Sequence, residues 1–123
     1  MDKLKVFISD DSAIIRERLV TVALDQPDIA VVGQAENAPR PLAALRQTRP
    51  DVVILDIRMP GGNGIEVLRE VKKLDPAPKV IMFTNYAHAQ YRKKCEELGA
   101  DFFLDKSTEF DRLPQALEQV RQG

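Results

Sequence analysis

The fold of this chain is decided by the run LKVFISDD at residues 4–11, in which a β-rich apolar stretch ends in two adjacent aspartates. A second run of the same kind, VVILD at residues 52–56, ends in Asp56. Short apolar runs of this sort are typical of buried parallel strands. Because the carboxyl ends of parallel strands meet at one edge of a sheet, Asp10, Asp11 and Asp56 are expected to lie together there.

Further β-rich runs alternate with segments of helical period along the whole chain. The pattern predicts strands at 4–9, 29–34, 52–56, 79–84 and 101–104, and helices at 12–25, 37–48, 63–74, 88–98 and 109–122. Proline and glycine mark most boundaries, and Gly99 stands where a left-handed helix cap is expected. Five parallel strands need right-handed helical crossovers, so we predict an α/β fold, a three-layer sandwich.

The composition indicates one globular domain over residues 1–123, with 44% hydrophobic residues. Lys and Arg total 18 against 19 acidic residues, so no basic field is present to attract nucleic acid or an anionic membrane. The single cysteine, Cys95, excludes an internal disulfide, and the single histidine, His88, gives no zinc signal. With a single thiol, a reducing cytoplasm is the expected location. The start has no signal peptide and no run reaches the ~20 apolar residues of a membrane span, so we expect a soluble protein.

The acidic residues at the predicted sheet edge have separate structural explanations. Asp11 is a possible helix N-cap, Asp10 a solvated strand end and Asp56 the start of a turn. Together, however, three acids at one edge repel each other unless a cation lies between them. Hard oxygen ligands in small number favour Mg²⁺, and Lys106, just past another apolar run, completes a set typical of phosphoryl transfer.

Four segments in this order resemble the receiver domain of bacterial response regulators. They are VFISDDS at 6–12, DIRMPGGNG at 56–64, VIMFT at 80–84 and FLDK at 103–106. The resemblance covers the whole chain, rests on the joint order and spacing of these segments, and implies a flavodoxin-like sheet with strand order 2-1-3-4-5. The ending FLDKS is most similar to receivers that are joined to a helix-turn-helix output domain.

The resemblance implies that Asp56 is the phosphoacceptor, which receives a phosphoryl group from a phosphohistidine of a sensor histidine kinase. It also implies that Asp11 and Asp56, with the backbone carbonyl of Arg58, hold Mg²⁺, and that Asp10 acts through a bound water. Such a chain catalyses its own phosphorylation and dephosphorylation and is not an enzyme acting on a separate substrate.

The resemblance assigns four further side chains. Lys106 and the Thr84 hydroxyl contact the phosphoryl oxygens, and Phe103 is the aromatic switch that turns inward when Thr84 moves. The surface of the fourth helix, fifth strand and fifth helix then changes, and this surface is a frequent site of homodimerisation or partner docking. On the first helix, Ile14 lies beside the stripe that faces the sheet and is expected to be exposed and to contact the kinase.

Some residues depart from the family pattern. Ser107 follows Lys106 where the family usually has a proline with a cis bond; because a cis non-proline bond costs about 2.5–4 kcal/mol, the geometry of this bond stays open. Asn85 replaces a small residue, and Phe103 lacks the hydroxyl of the usual tyrosine. Arg58 and Tyr86 are large, and we expect them to stack and to shield the phosphoryl group from water.

Two other function classes remain as alternatives. The chain could be a receiver-like interaction module that is never phosphorylated, or a Mg²⁺-dependent phosphohydrolase. The hydrolases considered need a second acid two residues after the nucleophile, where Arg58 stands, and no glycine-rich nucleotide loop follows the first strand. The chain ends with the fifth predicted helix, so it is expected to be either a stand-alone receiver or the N-terminal part of a longer regulator.

Overall fold

The computed structural model describes residues 3–37, 41–59 and 62–123. Its main elements, in chain order, are β1 (Leu4–Ser9), α1 (Ala13–Leu24), β2 (Ile29–Ala35), α2 (Pro41–Thr48), β3 (Val52–Leu55), α3 (Gly64–Val71), β4 (Lys79–Thr84), α4 (Ala89–Glu97), β5 (Phe102–Asp105) and α5 (Leu113–Gln122). A short antiparallel hairpin, Arg58–Met59 with Gly62–Asn63, precedes α3, and a 3₁₀ turn, Phe110–Arg112, precedes α5.

The five main strands form one parallel sheet in the order β2-β1-β3-β4-β5. This confirms the predicted order 2-1-3-4-5 and the flavodoxin-like α/β class. The central strands β1, β3 and β4 are buried almost throughout, which explains why they read as continuous apolar runs.

Alternate residues of each strand enter one of two hydrophobic cores. One core lies between the sheet and α2, α3 and α4, and includes Phe7, Val53, Leu55, Met82 and Phe103. The other lies between the sheet and α1 and α5, and includes Val6, Ile8, Ile54, Ile81 and Phe83. Each strand contributes to both cores because its side chains alternate between the two faces of the sheet. Helices cover both faces, which confirms the predicted three-layer sandwich.

The first helix has the orientation that its sequence predicts. Leu19 and Ala23 are fully buried against the sheet, with Ile15 and Val22 partly buried at the same core. Ile14 is 71% exposed, as expected for a residue beside the buried stripe. The side-chain oxygen of Ser12 accepts from the Ile15 N–H and caps the helix.

The observed bounds of the second and third helices differ from the predicted ones. The predicted second helix began at 37, whereas α2 begins at Pro41; residue 37 lies in a bend, and 38–40 are outside the described residues. The predicted third helix ran to 74, but α3 ends at Val71, shortly before the segment DPAP at 75–78, which cannot continue a helix.

Other boundaries differ for local reasons. The fifth helix was predicted from 109, yet a 3₁₀ turn occupies 110–112, and α5 starts at Leu113 with Pro114 in its first turn, where proline is favoured. The hairpin before α3 was not predicted, and its Pro60 and Gly61 lie outside the described residues. Gly99 has φ +97°, as expected for a left-handed cap after α4. Among the described residues, no helix combines the length and apolar character needed to cross a bilayer.

Candidate functional site

Extensions of the sheet ladder place the predicted site residues at one edge. Just beyond β1, the Asp10 N–H donates to the Ala35 carbonyl at 3.0 Å. Beyond β3, the Asp56 N–H donates to the Ser9 carbonyl at 3.2 Å, and beyond β5 the Lys106 N–H donates to the carbonyl of Thr84 at 3.0 Å. The backbone of each residue is thus fixed by a neighbouring strand, which holds their side chains at a common edge.

The Lys106 ammonium bridges two carboxylates at this edge. Its Nζ lies 2.6 Å from Asp56 Oδ2 and 2.6 Å from Asp10 Oδ2, and the lysine side chain is only 7% exposed. Burial acts to lower the pKa of Lys106, but the hydrogen bonds to Asp10 and Asp56 outweigh it, so the pKa lies above its ordinary value. Lys106 is therefore a fixed positive charge at the site.

The two buried carboxylates also accept backbone hydrogen bonds with their other oxygens. Asp10 Oδ1 accepts from the Ser12 N–H at 2.9 Å, and Asp56 Oδ1 accepts from the Ile57 N–H at 2.7 Å. Burial raises the pKa of Asp10 above its ordinary value, although its hydrogen bonds to Lys106 and Ser12 pull in the opposite direction. Asp10 is thus held in an environment that opposes its charge.

The three acids form a cluster that is able to hold a metal ion. One carboxylate oxygen from each of Asp10, Asp11 and Asp56 lies within 4.8 Å of the others, with Asp10 and Asp56 buried and Asp11 exposed. The N-cap role considered for Asp11 is wrong, because Ser12 caps α1. The Asp11 side chain is consequently not engaged as a cap, and the donor set of hard oxygens fits a hard divalent cation.

The chain after Asp56 packs tightly against the start of α3. The Gly64 N–H donates to the Ile57 carbonyl at 2.5 Å, and a Cβ added at Gly64 would lie 1.8 Å from the Asp56 carbonyl oxygen. Only glycine fits this approach. The glycine that ends the segment at 56–64 therefore has a steric role in positioning Asp56.

Thr84 and Phe103 both lie in the interior. Thr84 is fully buried, and its Oγ1 accepts from the Tyr86 N–H at 3.0 Å. Phe103 is 6% exposed, with its ring in the core shared with α3 and α4. The Arg92 guanidinium carbon lies 4.7 Å from the centre of that ring. The predicted switch aromatic thus occupies an inward position.

The predicted stacking of Arg58 on Tyr86 is present. The guanidinium carbon of Arg58 lies 4.5 Å from the centre of the Tyr86 ring, and both side chains are exposed. The position two residues after Asp56 therefore holds a cation turned onto an aromatic ring. A phosphohydrolase of the kind considered needs an acid there, so this geometry favours the other function classes.

A hydrogen-bonded turn supports Lys106. Asp105 Oδ1 accepts from the Ser107 hydroxyl at 2.6 Å and from the Ser107 N–H at 2.9 Å, and these bonds lower the Asp105 pKa. Glu109 Oε1 accepts from the Asp105 N–H at 3.1 Å. The Lys106–Ser107 bond is trans, since Asp75–Pro76 is the one cis bond among the described residues.

Several supporting residues were not predicted from the sequence. Arg16 Nη1 donates to the Asp10 carbonyl at 2.7 Å, and Glu109 and Arg92 contact the backbone near Lys106. Nothing in the sequence distinguishes these side chains from other charged residues on helices, because each reaches its partner across elements.

Comparison with known proteins agrees with this site. The chain matches the family model "Response regulator receiver domain" over residues 6–118. It is 36% identical to a protein-glutamate methylesterase/protein-glutamine glutaminase of Carboxydothermus hydrogenoformans, covering 97% of this chain and 35% of the relative. It is 32% identical to the DNA-binding transcriptional activator DevR/DosR of Mycobacterium tuberculosis, covering 98% of this chain and 55% of the relative. The chain thus spans about a third to a half of the length of these two relatives.

Solved structures show the same likeness. The response regulator domain of Thermotoga maritima CheB is 34% identical with a TM-score of 0.84, covering 98% of this chain and 95% of that one. A two-component response regulator of the LuxR family from Aurantimonas sp. is 31% identical with a TM-score of 0.90, covering 99% of this chain and 87% of that one. The chain therefore belongs to the response regulator receiver domains of two-component signalling.

Proposed function

We propose that residues 1–123 form a receiver domain that accepts a phosphoryl group on Asp56 from a sensor histidine kinase in a Mg²⁺-dependent reaction. Phosphorylation then alters the surface formed by α4, β5 and α5, and this surface controls an output domain or a partner. The chain catalyses its own phosphorylation and dephosphorylation. Its near-neutral charge of -1 supports the absence of direct nucleic acid contact, and the domain is proposed to be cytoplasmic.

The observation that carries this proposal is the position of the Lys106 ammonium, 2.6 Å from Asp56 and 2.6 Å from Asp10. A buried lysine that bridges two acids places a fixed positive charge directly beside the nucleophile. An interaction module would not require this arrangement, whereas phosphoryl transfer depends on positioning and on charge stabilisation of this kind.

The reaction is a displacement at phosphorus. An oxygen of Asp56 forms a bond to phosphorus, while the bond from phosphorus to the kinase histidine nitrogen breaks and that nitrogen keeps the electron pair. Negative charge then resides on the phosphoryl oxygens, and Lys106 pairs with one of them as a compact point charge. The Thr84 oxygen accepts from the Tyr86 N–H, so its own hydrogen is left to donate to a second phosphoryl oxygen.

Three side chains and one backbone group are proposed for Mg²⁺. Asp11 and Asp56 would hold it directly together with the backbone carbonyl of Arg58, and Asp10 would act through a water. The mutual distances in the acidic cluster support this assignment. When bound, the ion neutralises the acids and draws charge from the phosphoryl oxygens.

The signal leaves through residues on β4 and β5. Thr84 moves toward the phosphoryl group, and Phe103 on β5 responds to the vacated space, which biases an equilibrium between two arrangements of the α4–β5–α5 surface. That surface is proposed for homodimerisation or partner docking. The kinase docks elsewhere, against α1, where the exposure of Ile14 supports a contact.

The test is incubation of the purified chain with Mg²⁺ and a small acyl phosphate, followed by intact mass measurement. We expect the wild type to gain the mass of one phosphoryl group and Asp56→Asn to gain none. Asp25→Asn, which removes an exposed carboxylate at the end of α1, is the matched control and should be labelled like the wild type. Labelling of Asp56→Asn at the wild-type level would contradict the assignment.

The same experiment separates the alternative functions. A phosphohydrolase turns the donor over without a stable mass gain. A receiver-like interaction module shows neither donor turnover nor mass gain. Only a stable adduct that depends on Asp56 supports the proposed function.

A further inference from the structure

Helix α4 has few apolar anchors on the sheet. Its one fully buried side chain is Cys95, and five of its nine residues are charged: Arg92, Lys93, Lys94, Glu96 and Glu97. Hydrophobic packing therefore fixes α4 less firmly than α3, which buries Val67, Leu68 and Val71. The position of α4 depends more on polar contacts.

Arg92 supplies such contacts to β5. Its Nη1 donates to the Phe103 carbonyl at 3.1 Å, and its guanidinium carbon lies 4.7 Å from the centre of the Phe103 ring. The planar guanidinium thus covers the ring while bonding the backbone of the same residue. A lysine ammonium has no planar face and makes no such double contact.

The guanidinium also reaches Glu109, in the turn before α5. Arg92 Nη2 lies 3.6 Å from Glu109 Oε1, and that same oxygen accepts the Asp105 N–H at 3.1 Å. The Glu109 N–H in turn donates to the Asp105 carbonyl at 2.8 Å. Glu109 is therefore a junction between α4 and the residue that directly precedes Lys106.

We propose that Arg92 is a positioning residue for Lys106: it holds Glu109, which holds the Asp105 backbone, so that the place of α4 and the place of the Lys106 ammonium are coupled. The coupling of phosphorylation to α4 rests on the proposed function. The contact itself, from α4 through Glu109 to the Lys106 turn, does not.

This link differs from an ordinary surface ion pair. Exposed ion pairs contribute little, because solvent screens them and side chains lose freedom. Arg92 is 41% exposed, but it also has an aromatic ring and a backbone carbonyl as partners, and the Glu109 side chain is 20% exposed. Arg112 pairs with the other oxygen of Glu109 at 3.4 Å and is 67% exposed. It provides a matched control on the same carboxylate.

The first experiment measures the initial rate of phosphoryl uptake over a range of acyl phosphate concentrations, in the wild type and four variants. Arg92→Met and Glu109→Gln should each lower the maximum rate by a factor of about 3 to 10, with little change in KM for the donor. The double variant should be no slower than the slower single variant, because both changes break one link. Arg112→Met should stay within about twofold of the wild type.

The second experiment needs no phosphodonor. Hydrogen exchange of the Asp105 amide should be faster in Arg92→Met than in the wild type, and unchanged in Arg112→Met. Unchanged exchange in Arg92→Met overturns the proposal, whether or not the wild type is phosphorylated. An unlabelled wild type with the expected exchange pattern would instead contradict the proposed function and leave the link through Glu109 in place.

Melting temperatures of the variants distinguish a positioning effect from a general loss of folding. If all three single variants, including Arg112→Met, lose rate in proportion to their melting temperature, the effect is one of stability, and the positioning role is wrong. Rate losses of Arg92→Met and Glu109→Gln that multiply in the double variant would likewise show that the two residues act separately.

Discussion

The guanidinium carbon of Arg58 lies 4.5 Å from the centre of the Tyr86 ring, which joins the loop after β3 to the loop after β4. Asp56 precedes Arg58 by two residues, and Thr84 precedes Tyr86 by two, so we expect the pair to flank the solvent side of the site. An exposed contact of this kind contributes about 0.5–1 kcal/mol, enough to favour one arrangement of two long side chains.

We predict that this pair prolongs the life of the phosphorylated form. Hydrolysis needs a water in line with the bond that breaks, and the stacked side chains should hinder its approach. Decay of the acyl phosphate, measured in wild type, Arg58→Ala, Tyr86→Ala and the double variant, should be fastest in the double variant. Unchanged or slower decay there would show that the pair does not shield the site.

Asp11 is predicted to be a direct ligand that strengthens metal binding. In the cluster of Asp10, Asp11 and Asp56, it is the exposed member and makes no helix cap. Asp11→Ala should weaken Mg²⁺ binding by about tenfold or more, since a direct ligand is lost. The rise of melting temperature during a Mg²⁺ titration measures this, with Asp25→Ala as control. A titration identical to that of the wild type would remove Asp11 from the ligand set.

Asp10 is predicted to lower stability when no metal is present. Burial holds its pKa in the folded protein above the ordinary value, whereas in the unfolded chain the pKa of this carboxyl is about 3.9. Between these two pKa values the folded state binds more protons, so stability falls as pH rises through this window and stays lower above it.

The variant Asp10→Asn removes this titration. At neutral pH in metal-free buffer it should therefore melt at a higher temperature than the wild type. Its advantage should shrink as pH falls toward the unfolded-state pKa, because both proteins are then uncharged at this position. A variant that is less stable at neutral pH would mean that the pair with Lys106 outweighs the cost of burying the charge.

Ile14 is predicted to contribute to kinase docking. It is a large apolar side chain with 71% of its surface exposed, near the start of α1 and close in sequence to the acidic pair. Ile14→Ala should slow transfer from the kinase by about fivefold or more, as expected for a central interface anchor, but not transfer from a small acyl phosphate. Leu24, also on α1 and 55% exposed, lies at the far end and provides the control Leu24→Ala. Equal slowing with both donors would point to a folding effect.

The sequence alone determined the class of fold and the edge at which the site lies. Strands buried on both faces leave continuous apolar runs, and parallel pairing then places Asp10, Asp56 and Lys106 at the same edge, whatever the details of packing. The exposure of Ile14 followed from helical period, whereas the geometry of the Lys106–Ser107 bond stayed open in the sequence and is trans in the structure.

Only the tertiary structure decided which atoms meet. Lys106 and Asp56 are 50 residues apart in sequence, yet one ammonium contacts two carboxylates. The inward place of Phe103 and the link from Arg92 to Glu109 depend on how α4 and α5 pack against β5, and the sequence pattern of α4 does not encode this. Periodicity reports the face of an element, whereas long side chains find their partners only when the elements are in place.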